Sequence, residues 1–535
     1  MSFHFNFKSI LAQRQKSIFS ATMVLAITFL ISALLGFLRT RFLYSAFFKC
    51  CVLELDAYNA AFRIPDLIFK LLVTGALSAS FIPVFSSLLH KNKKEAYLTA
   101  SAVINLLLVV FIIISIFAFI FVTPLSRIIA KGFSSEQIRL MANLTRILLL
   151  AQIFFLISNF LTAILQVKQN FLLPALSPII YNLAIIISIF ILTPLFGIRG
   201  VVYGAVIGAF FHMAIQFPAI LKSGFIYSPV LSFKPQGVRD IIRLMIPRTL
   251  SLGLSEIENT VTLFFASGLT AGSLSLLNLA LQLIYLPSRI FGTTVGQASL
   301  PVLSKNVAKN QLNLFRQTVR RAILQGLYIT VPIAAITLID RLAIVRVAFG
   351  SKQFPWSATL LTARTLAFLT PAIICQVVIQ ILIRSFYALH DTKTPLKISA
   401  LSLSVNVALS YFLLRFTNLG IIALAIAASS ANLIHSSALF IVFLKRVNGH
   451  DWHGSYVNLF KIILAAGVGS FFAWIVIRIL DLFVFDTSRT INVVIIFVIS
   501  VLFGLISFVL TTSLLRSPEY EHFKSYFKRL LRFFS

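Results

Sequence analysis

LTASAVINLLLVVFIIISIFAFIFVT, residues 98–123, runs for 26 positions without one Lys, Arg, Asp or Glu. Wound as an α-helix it would rise about 39 Å, enough to cross the ~30 Å hydrocarbon core of a bilayer. Apolar runs of this kind recur from end to end. The sequence predicts fourteen spans, at approximately 18–38, 57–88, 98–123, 141–166, 172–193, 199–221, 241–267, 272–303, 317–339, 357–389, 395–415, 419–444, 456–480 and 491–515. The second, eighth and tenth exceed the length a membrane needs, so they must tilt, kink or project beyond it. A transmembrane barrel would show alternating segments of about 10 residues, which are absent. Composition excludes the remaining classes. Of 535 residues, 59% are apolar and 11% charged, and the mean hydropathy is +0.96. A soluble domain carries about a quarter charged residues. An ordinary cytosolic enzyme, a disordered tail and a disulfide-rich secreted module are therefore ruled out. Cys50, Cys51 and Cys375 form neither a framework nor a metal spacing and are expected to be inert.

Charge sets the topology. The net charge is +31, from 46 Lys and Arg against 15 Asp and Glu. The basic residues sit in short pieces between apolar runs, which fits the positive-inside rule and anionic phospholipid headgroups, not a nucleic-acid face. The strongest inside markers are Lys91, Lys93 and Lys94, then Lys305, Lys309, Arg316, Arg320 and Arg321, then Lys524, Lys528, Arg529 and Arg532 in the tail. Both termini are expected to be cytoplasmic. The first span follows Lys8, Arg14 and Lys16 with no cleavage signal and reads as a retained anchor.

An internal repeat organises the spans. Pro65 and Pro287 are 222 residues apart; Pro83 and Pro301, and likewise Gly132 and Gly350, are 218 apart; Pro174 and Pro395 are 221 apart. The offset covers six spans, so both copies enter the membrane from the same side, related by an axis along the membrane normal. The expected fold is thus an all-α polytopic membrane protein of two six-helix lobes plus a C-terminal helix pair. Its parts are a cytoplasmic segment 1–17, an N-lobe 18–222, a C-lobe 223–445, helices 13 and 14 at 446–516 and a basic tail 517–535. Two such lobes suit alternating access about a site at their interface. Asn170 and Asp391, each four residues before a repeat proline, read as turn or N-cap residues.

No catalytic set, phosphate loop or metal spacing is present; His450 and His453 flanking Trp452 are too weak a pattern for a metal. The informative residues are ionisable groups within spans, which are costly there and functional by default. Arg39 closes the first span. Arg63, Asp66 and Lys70 follow at i, i+3 and i+7, one helical face, with Pro65 expected to kink the helix between them. Such a face suits a wet cavity in which Arg forks and a Lys hold phosphate oxygens, or a structural Arg63–Asp66 pair with snorkelling cations. A second cluster, Glu256, Glu258 and Asn259, suits ion or proton coupling, with Asn406 and Ser410 adding oxygens, or a salt bridge to Arg248 or Arg289.

Leu35-Gly36-Phe37-Leu38-Arg39, Asp56-Ala57, Ala61-Phe62-Arg63-Ile64-Pro65-Asp66 and Gly75 through Pro83 resemble the opening of the MurJ/MviN lipid II flippase family, within the multidrug/oligosaccharidyl-lipid/polysaccharide exporters. Leu286-Pro287-Ser288, Leu300-Pro301-Val302-Leu303-Ser304 and Asp391-Thr392-Lys393-Thr394-Pro395 resemble its second lobe. The resemblance implies a transporter, not an enzyme, that carries the undecaprenyl-pyrophosphate-linked peptidoglycan precursor to the outer leaflet of the bacterial inner membrane. It implies no cofactor beyond coupling to membrane potential or to a Na+ or H+ gradient, and cell-wall synthesis proteins as further partners. By position it assigns Arg39, Asp56, Lys70 and Ser275 to the substrate cavity. Gln282 stands where the family commonly has Arg, as do Ala33 and Phe69; Thr74 and Tyr285 replace acids, and so does Thr40. Arg63 and Arg289 are the candidates for relocated cations. These departures keep another undecaprenyl-linked oligosaccharide, or a cation-coupled drug exporter on the same scaffold, as alternatives.

Overall fold

The computed structural model describes residues 18–524 apart from 76, 289–291, 293 and 448–451. Arg289, His450, the N-terminal segment and most of the basic tail therefore lie outside the described residues. Regular structure among the described residues is all helical, and helices stand at each of the fourteen predicted positions. Eleven are long and apolar enough to cross a membrane. The other three are the second, seventh and eighth. Each departs from a plain apolar rod for a reason visible in its residues.

The second position is a chain of pieces: Val52–Ala61, Arg63–Phe69, π-helical Lys70–Thr74 and Leu77–Phe81, then Ile82–Lys91. The helix breaks at Phe62 rather than kinking at Pro65, so the proline falls in a first turn that does not need its N–H. The Ala61 carbonyl that Pro65 cannot serve accepts the Thr145 hydroxyl at 3.0 Å. The seventh, Gln236–Ser267, is one unbroken helix whose apolarity is diluted by Glu256, Glu258 and Asn259. The eighth shows, among the described residues, Ser273–Pro287 and Thr294–Ala308, with Ser288 and Gly292 between them π-helical.

Two compact units divide the chain, the first ending at Gly272 and the second beginning at Ser273. The division lies beyond the 222/223 boundary drawn from the repeat. The seventh helix packs with the first unit, burying Val238 and Ile241 in the core that holds Phe81, Phe85, Phe111 and Phe160. The second unit has its own core, including Phe315, Phe386, Phe443 and Phe508. In it the last two long helices, His453–Phe483 and Thr490–Leu514, pack on each other and on Leu312–Ile339.

The repeat extends to backbone conformation. Gln169 and His390 take left-handed φ of 60° and 58°, and Gly197 and Gly420 take 57° and 56°. The glycines open the helices Ile198–Ala214 and Ile421–Arg446 from ψ near −135°, a region that side chains avoid. The cap expectation divides. Asp391 accepts from Thr394 N at 3.0 Å and Thr394 Oγ1 at 2.8 Å. Asn170 does not cap: its N–H closes the preceding helix onto Leu165 O, and Phe171 opens the next without a side-chain bond.

Candidate functional site

The first unit lays the seventh helix antiparallel along the broken second one, and polar groups meet at three levels. Thr249 Oγ1 donates to Leu71 O at 3.0 Å, serving a carbonyl inside the π-helical turn. A side chain at Gly75 would fall on that threonine hydroxyl, so glycine allows the approach. Further along, Glu256 receives Arg63 through Nη2 on Oε2 and Lys70 Nζ on Oε1, the latter at 3.2 Å. Arg63 also donates from Nη2 to the Glu256 carbonyl and from Nε to Thr260 Oγ1, each at 3.0 Å.

Two predicted clusters are therefore one. The sequence left Glu256 a choice between ion coupling and a salt bridge to Arg248 or Arg289. Among the described residues its partners are Arg63 and Lys70, which the sequence had set aside for phosphate; Arg289 and the Arg248 side chain lie outside them. Nor does Arg63 pair with Asp66. Asp66 accepts from Gln152 Nε2 at 3.1 Å, a residue of Ser135–Val167 that sequence reasoning missed because glutamine carries no charge signal. The side chains of Arg63 and Glu256 are 10% and 8% exposed, whereas that of Lys70 is 41% exposed. The pair is thus locked from one side and accessible from the other, and it sits where a π-helical turn interrupts the helix. Such turns favour functional positions because they widen the helix and re-aim side chains.

Arg39 is half-buried and stacks its guanidinium over the Tyr181 ring at 5.9 Å. Tyr181 meets Phe155 edge-on at 5.1 Å, and Phe155 meets Phe69, the neighbour of Lys70, at 6.4 Å. An aromatic path thus links Arg39 to the charged cluster. Asn182 fixes the helix below it by donating to Ser32 O at 3.2 Å and Ser32 Oγ at 3.3 Å.

The family model described as Lipid II flippase MurJ matches residues 45–513. The chain belongs to this family. A probable lipid II flippase MurJ of Bdellovibrio bacteriovorus is 27% identical over 436 residues, covering 80% of this chain and 82% of the relative. The lipid II flippase MurJ of Burkholderia cenocepacia is 23% identical over 402 residues, with 73% and 77% covered. Among solved structures, a lipid II flippase MurJ in its inward closed conformation superposes with a TM-score of 0.75 at 25% identity, over 92% of this chain and 98% of that one. An inward-facing multidrug MATE transporter of the MOP superfamily gives 0.65 at 16% identity, over 80% and 98%, which is a likeness of fold alone.

The other residues assigned from the MurJ resemblance are spread more widely. Asp56 is buried, and its Oδ2 accepts from Gly272 N at 2.6 Å, pinning the turn that follows the seventh helix. Ser275 is buried and Gln282 half-buried on Ser273–Pro287, in the second unit. Asn406 and Ser410, also there, are buried and bonded to each other at 3.3 Å. Glu258 is half-buried two positions after Glu256 on the same helix, in the first unit. The four proposed coupling residues thus divide between units. Cys50 and Cys51 are not two inert thiols: their sulfurs are joined.

Proposed function

We propose that this protein moves lipid II from the cytoplasmic to the outer leaflet by alternating access, with Arg39, Arg63 and Lys70 receiving the diphosphate. One observation carries the reading: in a chain of the MurJ family, Glu256 occupies two cations on a membrane helix at once. A carboxylate in that seat neutralises the cations while no substrate is bound. A diphosphate offers more anionic oxygens than one carboxylate, and Arg forks accept such oxygens bidentately. Substrate arriving from the side of half-exposed Lys70 would displace Glu256, leaving its carboxylate to take a proton or a cation. That exchange couples the cargo to an ion gradient or to the membrane potential, with Glu258, Asn406 and Ser410 as secondary candidates. Arg39, held by an aromatic ring and not by a carboxylate, is poised to follow the phosphate. The same reading places the protein in the bacterial inner membrane with both termini cytoplasmic, among anionic phospholipids and alongside cell-wall synthesis proteins.

The test is rescue of a strain depleted of its own lipid II flippase, paired with lipid II movement in vesicles. Arg39→Ala is expected to abolish rescue while the protein still accumulates in the membrane. Undiminished rescue would remove Arg39 from the site. Movement of another undecaprenyl-linked oligosaccharide in place of lipid II would reassign the cargo.

A further inference from the structure

Asp340 follows the helix Leu312–Ile339 directly and opens the short helix Arg341–Phe349. It is 1% exposed. Its two carboxyl oxygens lie 3.0 and 2.9 Å from a single hydroxyl, Ser500 Oγ, itself buried on Thr490–Leu514. One hydroxyl donates one proton, whereas an ionised carboxylate presents about four acceptor positions. Backbone donors do not make up the deficit. The Asp340 N–H goes to Ile336 O, and Ile344 N–H binds the Asp340 carbonyl, not its side chain.

Charged groups on the adjoining elements are engaged elsewhere or exposed, Arg478 and Asp481 of His453–Phe483 among the exposed ones. Arg341 donates to Leu338 O at 2.7 Å. Arg346 donates to Ser488 O at 2.9 Å and stacks over Trp356. Asp486 and Arg489, in the turn before Thr490–Leu514, act on each other, with Asp486 bonded to Ser488. Arg364, on Trp356–Ala388, is exposed. Thr490–Leu514 itself contains no ionisable side chain, and Tyr328 of Leu312–Ile339 bonds Thr512 instead. Among the described residues, no cation is ion-paired with Asp340. A neutral carboxyl satisfies this geometry, because its own O–H can donate to Ser500 Oγ. Burial pushes the Asp340 carboxyl from its ordinary 3.8 up to about 7, against which the Ser500 bond pulls down.

We propose that Asp340 is a proton-binding site, holding its proton against Ser500 while the two helices are joined and releasing it to water when they part. The consequence for transport rests on the lipid II reading above: exchange at Asp340 would make H+ a coupling ion.

Infrared difference spectra of the full chain in bilayers, titrated from about pH 5 to about pH 9, read the proton itself. The expected result is a protonated-carboxyl band with its midpoint near 7, missing in Asp340→Asn and shifted in Ser500→Ala. Asp340→Asn keeps the shape and a bond to Ser500, so folding is preserved. A band unchanged by Asp340→Asn, or a midpoint in the ordinary carboxylate range, overturns the site. In vesicles, wild-type lipid II movement is expected to vary severalfold across that range and the Asp340→Asn variant to be flat; an unchanged pH profile overturns the coupling. A wild-type protein that moves no lipid II would fail the transport reading and leave the infrared titration standing.

Discussion

Arg63, Pro65, Asp66 and Lys70 in the first repeat stand where the second has Tyr285, Pro287, Ser288 and Gly292, at the offset of 222 that relates the two prolines. In the first copy π-helical turns follow that proline at Lys70–Thr74 and Leu77–Phe81, and in the second Ser288 and Gly292 are likewise π-helical. The first copy sets Arg63, Asp66 and Lys70 around the break, and a following helix brings a carboxylate to two of them; the second has Arg289 two positions past its proline, outside the described residues. The two acids Glu256 and Asp340 sharpen the point. Glu256 is buried against two cations, Asp340 against one hydroxyl. The first faces two full positive charges; the second has one neutral hydroxyl to share between its two oxygens.

Three sets of experiments test how far that contrast holds. Glu256→Ala should have the largest effect, because it leaves the buried Arg63 guanidinium without its counter-ion. About 3–5 kcal/mol of stability is expected to be lost, measured by denaturant unfolding in micelles. The double variant Arg63→Met with Glu256→Leu should recover most of that loss yet give no rescue of a flippase-depleted strain. Rescue by the double variant would show that the charges serve only the fold.

Next comes the pH dependence of Asp340. Its carboxyl titrates near 3.8 when unfolded and near 7 when folded. Below about pH 4 it is neutral in both states and imposes no penalty. Between those values the folded protein keeps a proton that the unfolded chain gives up, so stability falls as pH rises and levels off above about 7. A shift of three units amounts to roughly 4 kcal/mol at most. Unfolding of wild type and Asp340→Asn compared at about pH 5 and about pH 8 measures it; parallel curves would equate the two acids.

Smallest is Lys70→Met. The half-exposed ammonium should contribute no more than about 1 kcal/mol to the folded state. Its effect is expected in lipid II movement, with the unfolding midpoint nearly unchanged. A large loss of stability would place Lys70 with Arg63 as a structural partner.

Much of this was legible along the chain. Helix positions follow from apolar run length, since a bilayer accepts nothing shorter and no unpaired backbone. The repeat follows from proline and glycine spacing, and is echoed in the left-handed Gln169, His390, Gly197 and Gly420. The polar residues of the second, seventh and eighth spans marked the helices that are not plain apolar rods. Pairing was not legible. Arg63 and Glu256 are 193 positions apart, and either could have met several oppositely charged groups. Gln152 and Tyr181 were missed because neither carries a charge to stand out against an apolar background. Asp340 falls one position past the predicted span 317–339 and drew no reading, since its burial depends on Ser500, 160 positions later.

By itself, then, the order of residues determined a helical membrane protein with a duplicated plan and a shortlist of ionisable groups. Those depend on local quantities, namely hydropathy over a turn or two and the backbone preferences of proline and glycine. Tertiary structure decided which ions neutralise one another and which acid is left to keep a proton. Electrostatic energy in a dry interior varies steeply with distance and with the count of nearby donors, and neither exists until the helices have packed.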